Sequence, residues 1–573
     1  MTPKQLTPGL SVSPQLSLAD VGAAQAQGFR TIIVNRPDGE EPDQPTIAAI
    51  RHAAGAAGLG VAAIPVTPGK VSDEDIAQFA DALRMLEGPV LAYCRTGTRS
   101  ATLWALAEAK TLSPDAVLKA AATAGYDLSQ LRDRLEERHG DVRSFSPTAR
   151  AHDVLIVGGG AAGIATAASL LARRRGLDIA IIEPREEHYY QPGWTLVGGG
   201  VFDRRRTQRS MASVMPKGVT WIRAAAAGFR PEANEVVLED GTTLGYRVLV
   251  AAPGVMLDWA AIDGLEATLG RNGVTSNYRF DMAPYTWELI QGLREGVALF
   301  TQPPMPIKCA GAPQKAMYLA SDFWRRNGRI GGIDVGFNTS TPALFGVKEY
   351  VAALMEYVDT YGIDLQLNST LVAVDGEHRR ATFRRADGEV TIAFDMMHVT
   401  PPQRAPHFIA ESALAASSGF VDVDQQTLRH SHFGNVFGLG DGCSAPNAKT
   451  AAAARKQAPV VAVNALAVLD GKEPRAIYDG YGSCPLTVER GKIVLAEFGY
   501  GGVLQPSFPK WLVNGERPSR LSWLLKEKAL PWIYWNGMLK GHEWLAKPEM
   551  LPHAPTPHAS AANPCGEPVR RAS

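Results

Sequence analysis

Two successive α/β patterns of apolar and polar positions run along the chain. In residues 1 to about 112, short apolar runs alternate with helix-like segments in which apolar residues lie three and four apart. The apolar runs include FRTIIVN (29–35), VAAIPVT (61–67) and PVLAYC (89–94). This alternation predicts a small α/β domain with a parallel sheet. The polar stretch RHGDVRSFSPTARAHD (138–153) predicts a linker at about residues 139–151.

The second pattern begins with a strand, a glycine-rich loop, a helix and another strand, in VLIVGGGAAGIATAASLLARRRGLDIAIIEP (154–184). Gly158, Gly160 and Gly163 have GxGxxG spacing, and the second strand ends at Glu183. Such glycines allow a tight turn and the close approach of a pyrophosphate to the helix N-terminus, while the acid accepts hydrogen bonds from a ribose hydroxyl. The sequence therefore predicts a dinucleotide-binding fold.

Two later segments favour FAD over NAD. NVFGLGDGCSAPNAKTAAAARKQAPVVAVNAL (435–466) resembles the second flavin contact of flavoproteins with two nucleotide folds, in which an aspartate, here Asp441, holds the ribityl chain. VLVAAPG (248–254) resembles the strand that returns the chain to the FAD domain in the same proteins. Lys449 and Thr450 begin the helix that would face the flavin. They could donate to a quinone carbonyl or to the reduced ring, or they could cap the helix.

A second nucleotide fold is predicted over residues 296–345, but its phosphate loop is missing. The junction PMPIKCAGAPQK (304–315) offers prolines, lysines and a cysteine where a glycine-rich loop would bind a nicotinamide dinucleotide. Electrons are therefore expected from another donor. A thiol beside a flavin can donate two electrons, and Lys308 and Lys315 favour a thiolate at Cys309.

Six segments of the chain closely resemble the sulfide:quinone oxidoreductases, especially the branch that includes the mitochondrial enzyme. They are HYYQPGWTLVGGG (188–200), KCAGAPQKAMYL, FGVKEY, HVTPPQRAP, GLGDGCSAPNAKTAAA and YDGYGSCPL. The resemblance extends over about residues 152–548. It implies that FAD accepts two electrons from sulfide through a redox cysteine pair and passes them to a membrane quinone. It also implies that the sulfur is left as a persulfide. We expect this sulfane sulfur to go to a small thiol such as glutathione, or to Cys94.

The resemblance also assigns the cysteine pair. Cys309 matches the first family cysteine in an unbroken motif. Cys443 is our preferred partner, although the family commonly places its second cysteine directly after the Gly-Asp, where this chain has Gly442. Cys484, in SCPL, also fits the family and is the alternative partner; we interpret it as structural. Cys565, in the proline-rich tail, is interpreted as an inert surface thiol.

The composition changes near the C-terminus. Residues 510–547 contain five of the eleven tryptophans and seven Lys or Arg against three Glu. Tryptophan and cationic residues on amphipathic segments are typical of a membrane-interface anchor, while Lys526, Glu527, Lys528 and Pro531 argue against a span. The segment is therefore predicted to lie on the membrane and to give access to the quinone. The alternative is a buried helix pair or a dimer contact.

A cysteine loop in the N-terminal domain carries a second candidate chemistry. YCRTGTRSATLWAL (93–106) places Cys94 at the end of a strand and Arg99 five residues later, before a helix. Backbone N–H groups, an arginine and a helix N-terminus suit a reactive thiol and an anionic guest. The four-residue gap resembles rhodaneses, which hold a persulfide, whereas tyrosine phosphatases use five. As a whole the domain resembles the phosphatase-like module that precedes some β-lactamase-hydrolase-like proteins.

Composition and charge exclude several classes of protein. The net charge is zero, with 58 basic and 58 acidic residues, so no nucleic-acid partner is expected. Five cysteines in 573 residues are too few for a disulfide scaffold and lack the paired spacing of a zinc site, so no metal is expected. We expect no secretory signal and no membrane-spanning helix. The expected location is cytoplasmic, peripheral on the inner face of the membrane.

The predicted fold class is α/β, with two Rossmann-like nucleotide folds of the flavoprotein disulfide-reductase type behind a small phosphatase- or rhodanese-like α/β domain. The predicted segments are an N-terminal domain, a linker, a flavoprotein domain, a membrane-interface segment and a tail, at residues 1–138, 139–151, 152–500, 501–550 and 551–573. An NADH:quinone dehydrogenase is the alternative for the flavoprotein. A phosphatase or a docking module is the alternative for the first domain. The oligomeric state stays open, a homo-oligomer included.

Overall fold

The computed structural model describes residues 3–7, 9–67, 69–86, 88–109, 114–136 and 151–551. The chain divides into two compact units at about residue 150. Nearly all of the predicted linker and all but the first residue of the predicted tail, Cys565 included, lie outside the described residues.

The first unit is built on one five-stranded sheet. Its strands, in spatial order, are Lys4–Thr7, Leu10–Ser13, Val90–Tyr93, Thr31–Val34 and Gly60–Ala63. Only the first pair is antiparallel. The central strand is buried along its whole length and delivers Cys94 at its carboxyl end.

Helices flank this sheet. They are Leu18–Ala26, Ile47–Ala56, Asp73–Met85, Thr98–Glu108 and Pro114–Thr123, followed by the 3-10 turn Ser129–Leu131. The first and third begin with capping boxes at Ser17 and Ser72, in which the serine and an aspartate three residues later satisfy each other's backbone N–H groups. The predicted small α/β domain is thus present, and its sheet is parallel, as predicted, except for the first pair of strands.

The second unit contains two nucleotide-fold sheets. The first has the spatial order Val219–Ile222, Ile179–Ile182, His152–Val157, Thr243–Ala251, Glu235–Leu238 and Ala226–Arg230, with Val436–Gly438 also paired to Thr243–Ala251. The second is parallel throughout, in the order Val274–Thr275, Met396–His398, Gly296–Gln302, Ile333–Thr339 and Asp364–Gln366.

Smaller sheets complete the second unit. The strands Thr370–Asp375, Arg380–Arg385 and Gly388–Ala393 form an antiparallel sheet. A long hairpin joins Gly482–Glu489 to Lys492–Phe498. Three two-stranded pairs are Glu187–Tyr189 with Gln208–Ser210, Met256–Leu257 with Gln403–Arg404, and Ala476–Ile477 with Glu549–Met550.

Helices of the second unit cover these sheets. The α-helices are Ala161–Arg173, Trp194–Gly198, Met211–Val214, Leu265–Thr268, Ala283–Gly292, Ala312–Arg326, Lys348–Tyr361, His407–Ala410, Ala451–Leu469, Arg520–Leu524 and Leu530–Asn536. The π-helical turn Leu525–Ala529 joins the last two. The 3-10 turns are Gln191–Gly193, Arg204–Thr207, Pro231–Ala233, Trp259–Ala261, Ile330–Gly332, Gly440–Gly442, Tyr500–Gly502 and Met538–Lys540.

The predicted α/β class is confirmed, with a small α/β domain followed along the chain by two nucleotide folds. In the part of the chain that the structure describes, none of the helices is both long and apolar enough to cross a bilayer. The membrane association of the C-terminal segment stays a prediction.

Candidate active site

The glycine loop after strand His152–Val157 forms a cradle of bare backbone. Gly158 has a φ of 106°, and a Cβ there would overlap the carbonyl oxygen of Ala252. A Cβ on Gly163 would overlap the carbonyl oxygen of Gly158, so this glycine lets the helix approach the loop. A Cβ on Gly160 would meet no atom within 4 Å. The open space before Gly160 is what a pyrophosphate at this helix N-terminus requires.

Glu183 lies against the same loop. Its Oε2 accepts a hydrogen bond from the Gly159 N–H at 2.9 Å, and its Oε1 accepts one from the Arg185 N–H at 2.9 Å. The carboxylate is thereby fixed at the carboxyl end of strand Ile179–Ile182, beside the cradle. This is the position from which an acid reaches a ribose hydroxyl in nucleotide folds.

Asp441 lies at the same edge of the first sheet. It belongs to the turn Gly440–Gly442, which follows strand Val436–Gly438. A Cβ on Gly440 would lie 3.0 Å from the Cβ of Ala162, so the turn packs on the first residues of the glycine-loop helix. Burial raises the pKa of Asp441, an effect that the Lys449 cation opposes.

Lys449 and Thr450 hold this region together. The Lys449 Nζ donates to the carbonyl oxygens of Asp441 at 2.7 Å and Cys443 at 2.9 Å. The Thr450 hydroxyl caps helix Ala451–Leu469 by accepting the Ala453 N–H. In this structure both side chains are therefore engaged in structural bonds. Thr450 therefore caps the helix, as the alternative interpretation had it. Donation by Lys449 or Thr450 to a quinone stays a prediction.

Cys309 lies at the start of helix Ala312–Arg326, where a second phosphate loop would stand. Its Sγ is 3.9 Å from the Cys484 Sγ and accepts a hydrogen bond from the Lys315 Nζ at 3.2 Å. The Lys315 side chain is almost wholly buried. A hydrogen bond from the Cys484 thiol and the charges of Lys315 and Lys526 hold the pKa of Cys309 well below its usual range. The pKa of Cys484 is raised by its hydrogen bond to Cys309 and by burial.

The fold brings Cys484 to Cys309, and not Cys443, the partner preferred from the sequence. Cys443 is fully buried in the hydrophobic cluster around the first sheet, where its Sγ lies 3.3 Å from the carbonyl oxygen of Gly440. Cys309 instead packs against the cluster that contains Cys484. The alternative partner, Cys484, is thus the thiol that the fold brings to Cys309.

Gly311 explains how Cys484 reaches Cys309. The hairpin strand Gly482–Glu489 packs on helix Ala312–Arg326, and a Cβ on Gly311 would overlap Leu486 and lie 2.6 Å from the Cys484 Sγ. A glycine therefore makes room for the second thiol. In the sequence, the one-residue shift beside Cys443 was the signal against pairing it with Cys309. The approach of the hairpin to Cys309 has no signal in the local sequence.

Lys526 is a site residue that sequence reasoning missed. It lies on the π-helical turn Leu525–Ala529, in the segment predicted to be a membrane anchor, yet only 4% of its surface is exposed. Burial and the nearby Lys315 charge lower the pKa of Lys526 to about 7. π-helical turns are frequent at functional sites, but neither the turn nor the burial has a sequence signature here.

The Cys309 backbone is tied to the Asp441 region. Its N–H donates to the carbonyl oxygen of Lys449 at 2.8 Å, and the Tyr278 hydroxyl lies 3.3 Å from its carbonyl oxygen. Cys309 has a φ of 51°, a conformation that a residue other than glycine rarely adopts. The thiol pair is therefore placed next to the start of helix Ala451–Leu469, which was predicted to face the flavin.

Cys94 and Arg99, the candidate residues of the N-terminal cysteine loop, lie in the first unit. The Cys94 Sγ accepts a hydrogen bond from the Gly97 N–H at 3.2 Å, inside a loop that leads into helix Thr98–Glu108. The two terminal nitrogens of Arg99 bind the two carboxylate oxygens of Glu40, at 2.7 Å and 2.8 Å. Arg99 and Arg36 together hold the pKa of Glu40 below its usual value.

Family models match both units. The pyridine nucleotide-disulphide oxidoreductase model matches residues 152–283. The phosphatase-like domain of beta-lactamase hydrolase-like protein matches residues 3–111. The beta-lactamase hydrolase-like protein of Agrobacterium fabrum is 45% identical over 100 residues, which cover 18% of this chain and 23% of that protein.

Relatives match the second unit over most of their length. The mitochondrial sulfide:quinone oxidoreductase of Dictyostelium discoideum is 40% identical over 407 residues, 70% of this chain and 89% of the relative. That of Mus musculus is 40% identical over 400 residues, 69% and 88% of the two chains. The X-ray structure of the sulfide:quinone oxidoreductase of Aquifex aeolicus superposes with a TM-score of 0.58 at 20% identity, covering 70% of this chain and 97% of that one.

Two nucleotide-fold sheets and a thiol pair define the second unit as an oxidoreductase of the pyridine nucleotide-disulphide class. The 40% identity to two relatives, over 89% and 88% of their lengths, identifies the family within this class. The chain belongs to the sulfide:quinone oxidoreductase family, with a phosphatase-like domain of the beta-lactamase hydrolase-like type at residues 3–111.

Proposed function

We propose that the second unit oxidises sulfide with bound FAD and passes two electrons to a membrane quinone. The observation that carries the proposal is the geometry at Cys309, with a second thiol at 3.9 Å and a buried lysine ammonium at 3.2 Å. A dithiol beside a buried cation is suited to exchange with hydrosulfide, because the cation stabilises the departing thiolate.

The residues around the glycine loop fit FAD. Bare backbone at Gly158 and Gly160 would hold the pyrophosphate, Glu183 the ribose, and Asp441 the ribityl chain. When bound, FAD supplies a two-electron acceptor that can be reoxidised by a quinone. The chain's own contribution is to place the Cys309 thiol beside the start of helix Ala451–Leu469.

The thiol step follows from the charges. In the oxidised enzyme Cys309 and Cys484 share a disulfide. Hydrosulfide attacks the Cys484 sulfur, the S–S bond breaks, and its electron pair leaves on Cys309 as a thiolate. Cys484 keeps the added sulfur as a persulfide. This direction is favoured because the pKa of Cys309, which accepts the hydrogen bond from Lys315, lies well below its usual range, whereas the pKa of Cys484 is raised. Cys309 is therefore the better leaving thiolate.

Reduction of the flavin by sulfide or by NADH distinguishes the proposed function from an NADH:quinone dehydrogenase. Anaerobic addition of sulfide to the purified protein should bleach the visible absorbance of the flavin. NADH should not bleach it, since residues 304–315 lack a phosphate cradle. Bleaching by NADH without bleaching by sulfide would support an NADH:quinone dehydrogenase and overturn the proposal.

Three serine variants test the pairing. Cys309→Ser and Cys484→Ser should each abolish sulfide-driven quinone reduction while flavin stays bound, because the cradle lies elsewhere. Cys443→Ser should keep most activity, since its thiol packs in the first cluster. Full activity of Cys484→Ser together with loss in Cys443→Ser would restore the pairing first predicted from the sequence.

We also propose that the C-terminal segment seats the enzyme on the membrane surface where its quinone resides. Nine of the fourteen exposed large hydrophobic side chains among the described residues lie between residues 501 and 550, including Trp511, Leu524 and Trp532. Trp523 and Trp535 of the same segment are buried. One side of the segment therefore packs on the core and the other offers apolar surface to lipid. We place the protein at the inner face of a cytoplasmic membrane.

For the first unit we propose transfer of sulfane sulfur at Cys94. Both terminal nitrogens of Arg99 are occupied by Glu40, so the guanidinium lacks the free two-pronged face with which arginine binds phosphate. A persulfide carries a single negative charge, so its binding does not require a free guanidinium face. A small thiol such as glutathione would take the sulfur.

The full-length chain can decide between a sulfurtransferase and a phosphatase. It should transfer sulfur from thiosulfate to cyanide in a reaction that Cys94→Ser abolishes. Release of phosphate from an aryl phosphate that depends on Cys94, without sulfur transfer, would establish the phosphatase instead.

A further inference from the structure

The Tyr126 hydroxyl is a buried polar group without a partner, beside the Cys94 loop. Tyr126 is 6% exposed, and its oxygen makes no hydrogen bond within the described residues. Its ring is covered on the outside by the Lys4 ammonium, 4.8 Å from the ring centre. The Lys4 ammonium thus packs on the ring face, while the hydroxyl group is buried in the protein.

That polar end meets the loop at Gly97. Gly97 has a φ of 88°, and a Cβ there would overlap the Tyr126 hydroxyl. The Gly97 N–H donates to the Cys94 Sγ at 3.2 Å, so the phenol and the thiol contact the same residue of the loop. Burial and the nearby Cys94 raise the pKa of Tyr126, which keeps its hydroxyl protonated and able to donate.

An unsatisfied buried hydroxyl is costly, and native structures satisfy the great majority of such groups. Lys4 cannot satisfy this one, because it lies over the ring face. Another unpartnered hydroxyl, that of the fully buried Ser100, lies in the first turn of the helix that follows the loop. An acceptor atom added at Cys94 would supply the missing partner.

We propose that the Tyr126 hydroxyl donates a hydrogen bond to the outer sulfur of a persulfide on Cys94, and so selects sulfane sulfur as the guest of this loop. The inference rests on the proposed sulfurtransferase function and names the residue that recognises its intermediate. The Cys94 thiolate attacks the outer sulfur of thiosulfate, the S–S bond breaks, and sulfite leaves with the electron pair. The outer sulfur then carries the negative charge to which Tyr126 donates. Attack on it by cyanide or a thiolate returns the Cys94 thiolate.

Tyr126→Phe in the full-length chain removes the donor and keeps the ring. After incubation with thiosulfate, mass spectrometry of the Cys94 peptide should show persulfide occupancy, at limiting thiosulfate, reduced roughly tenfold, as expected for loss of a hydrogen bond to a charged group. Alkylation of Cys94 by iodoacetamide and the melting temperature should stay close to the parent values. Lys4→Met is the matched control, since it uncovers the same ring without touching the hydroxyl, and should load as the parent does.

The outcomes separate the inference from the function on which it rests. Equal loading of Tyr126→Phe and the parent would overturn the role of Tyr126 and leave the sulfurtransferase standing. A parent chain whose Cys94 takes no sulfur from thiosulfate, or whose Cys94 is protected from alkylation by inorganic phosphate, would overturn both. Equal losses in Tyr126→Phe and Lys4→Met would show that the phenol only packs, which also contradicts the inference.

Discussion

Cys309 unites an unfavourable backbone conformation with a stabilised thiolate. Its φ of 51° costs energy in a residue with a Cβ, and such strain persists where the surroundings hold the residue in place. The hydrogen bonds from its N–H to Lys449 and from Tyr278 to its carbonyl oxygen provide that restraint. The strained loop turns the thiol towards both Lys315 and Cys484.

Lys526 should act on this thiol in a pH-dependent way. Its pKa of about 7 means that it is mostly charged at pH 6 and mostly neutral at pH 8.5. Replacement of Lys526 by methionine should therefore slow alkylation of reduced Cys309 at pH 6 by roughly threefold to tenfold, because a nearby positive charge favours the thiolate. At pH 8.5 the replacement should change the rate little. Peptide mapping after iodoacetamide treatment measures the rate.

The same variant should also be more stable in acid. The pKa of Lys526 falls from an ordinary 10.5 to about 7 on folding, so the unfolded chain holds its proton more strongly. The resulting penalty is complete below pH 7 and fades as the pH rises towards 10.5. Lys526→Met should raise the melting temperature more at pH 6 than at pH 10. Lys528→Met, at an exposed neighbour, is the control; equal effects of both variants would contradict the role of Lys526.

Among the elements, the hairpin Gly482–Glu489/Lys492–Phe498 decides which thiol meets Cys309. Gly311→Ala would place a methyl group against Leu486 and Cys484, and should destabilise the protein by roughly 1–3 kcal/mol, as overpacking does. Formation of the Cys309–Cys484 disulfide under mild oxidation should slow in parallel. Gly331→Ala, where a Cβ meets nothing within 4 Å, should leave both unchanged. Normal stability and normal oxidation of Gly311→Ala would show that the hairpin is not held there.

Most of these elements were predictable because their signals are local. The strand, glycine loop, helix and acid from Val154 to Glu183 lie in one continuous stretch, and the structure has them in that order. The partner of Cys309 was not predictable in this way. Cys443 and Cys484 lie 134 and 175 residues from Cys309 in the chain, and only the packing of the hairpin separates them.

The C-terminal segment shows the same limit. Its tryptophan and lysine content predicted a membrane-interface segment, and three of its five tryptophans are among the exposed side chains. Lys526, counted among the cationic residues of this segment, is instead buried, and its charge lowers the pKa of Cys309. A helix periodicity gives the two faces but does not say which neighbours will cover one of them.

Leu521 and Leu524 should contribute to membrane binding. They are 46% and 52% exposed on helix Arg520–Leu524. Changing both to serine should weaken binding to phospholipid vesicles by roughly tenfold or more, since about 0.8 kcal/mol is lost per CH2 group withdrawn from lipid. Leu367→Ser with Val390→Ser, at exposed apolar positions outside the segment, is the control. Equal vesicle binding by both double variants in a sedimentation assay would argue that the segment does not face lipid.

At the scale of the whole molecule, one chain carries a unit proposed to make persulfide and a unit proposed to accept it. Tethering two sites can raise the effective concentration of one at the other to the order of millimolar, where the linker permits them to meet. A persulfide made at Cys484 would then reach Cys94 of its own chain before it reached another. The benefit is removal of the sulfur between turnovers of the flavin site.

This coupling predicts that transfer to Cys94 is intramolecular. With sulfide and quinone supplied, the rate at which Cys94 becomes persulfidated, followed by mass spectrometry, should not change on dilution of the protein. A mixture of Cys94→Ser and Cys309→Ser chains, in which one makes the sulfur and the other accepts it, should load Cys94 on the order of 100-fold more slowly at about 10 μM, the ratio of a millimolar effective concentration to the actual one. Sulfide-driven quinone reduction by Cys94→Ser alone, with glutathione present, should stay close to the parent rate, because the flavin-site residues are intact. A loading rate proportional to protein concentration, or equal in the mixture and the parent, would mean that a diffusible thiol carries the sulfur and that the two units act independently.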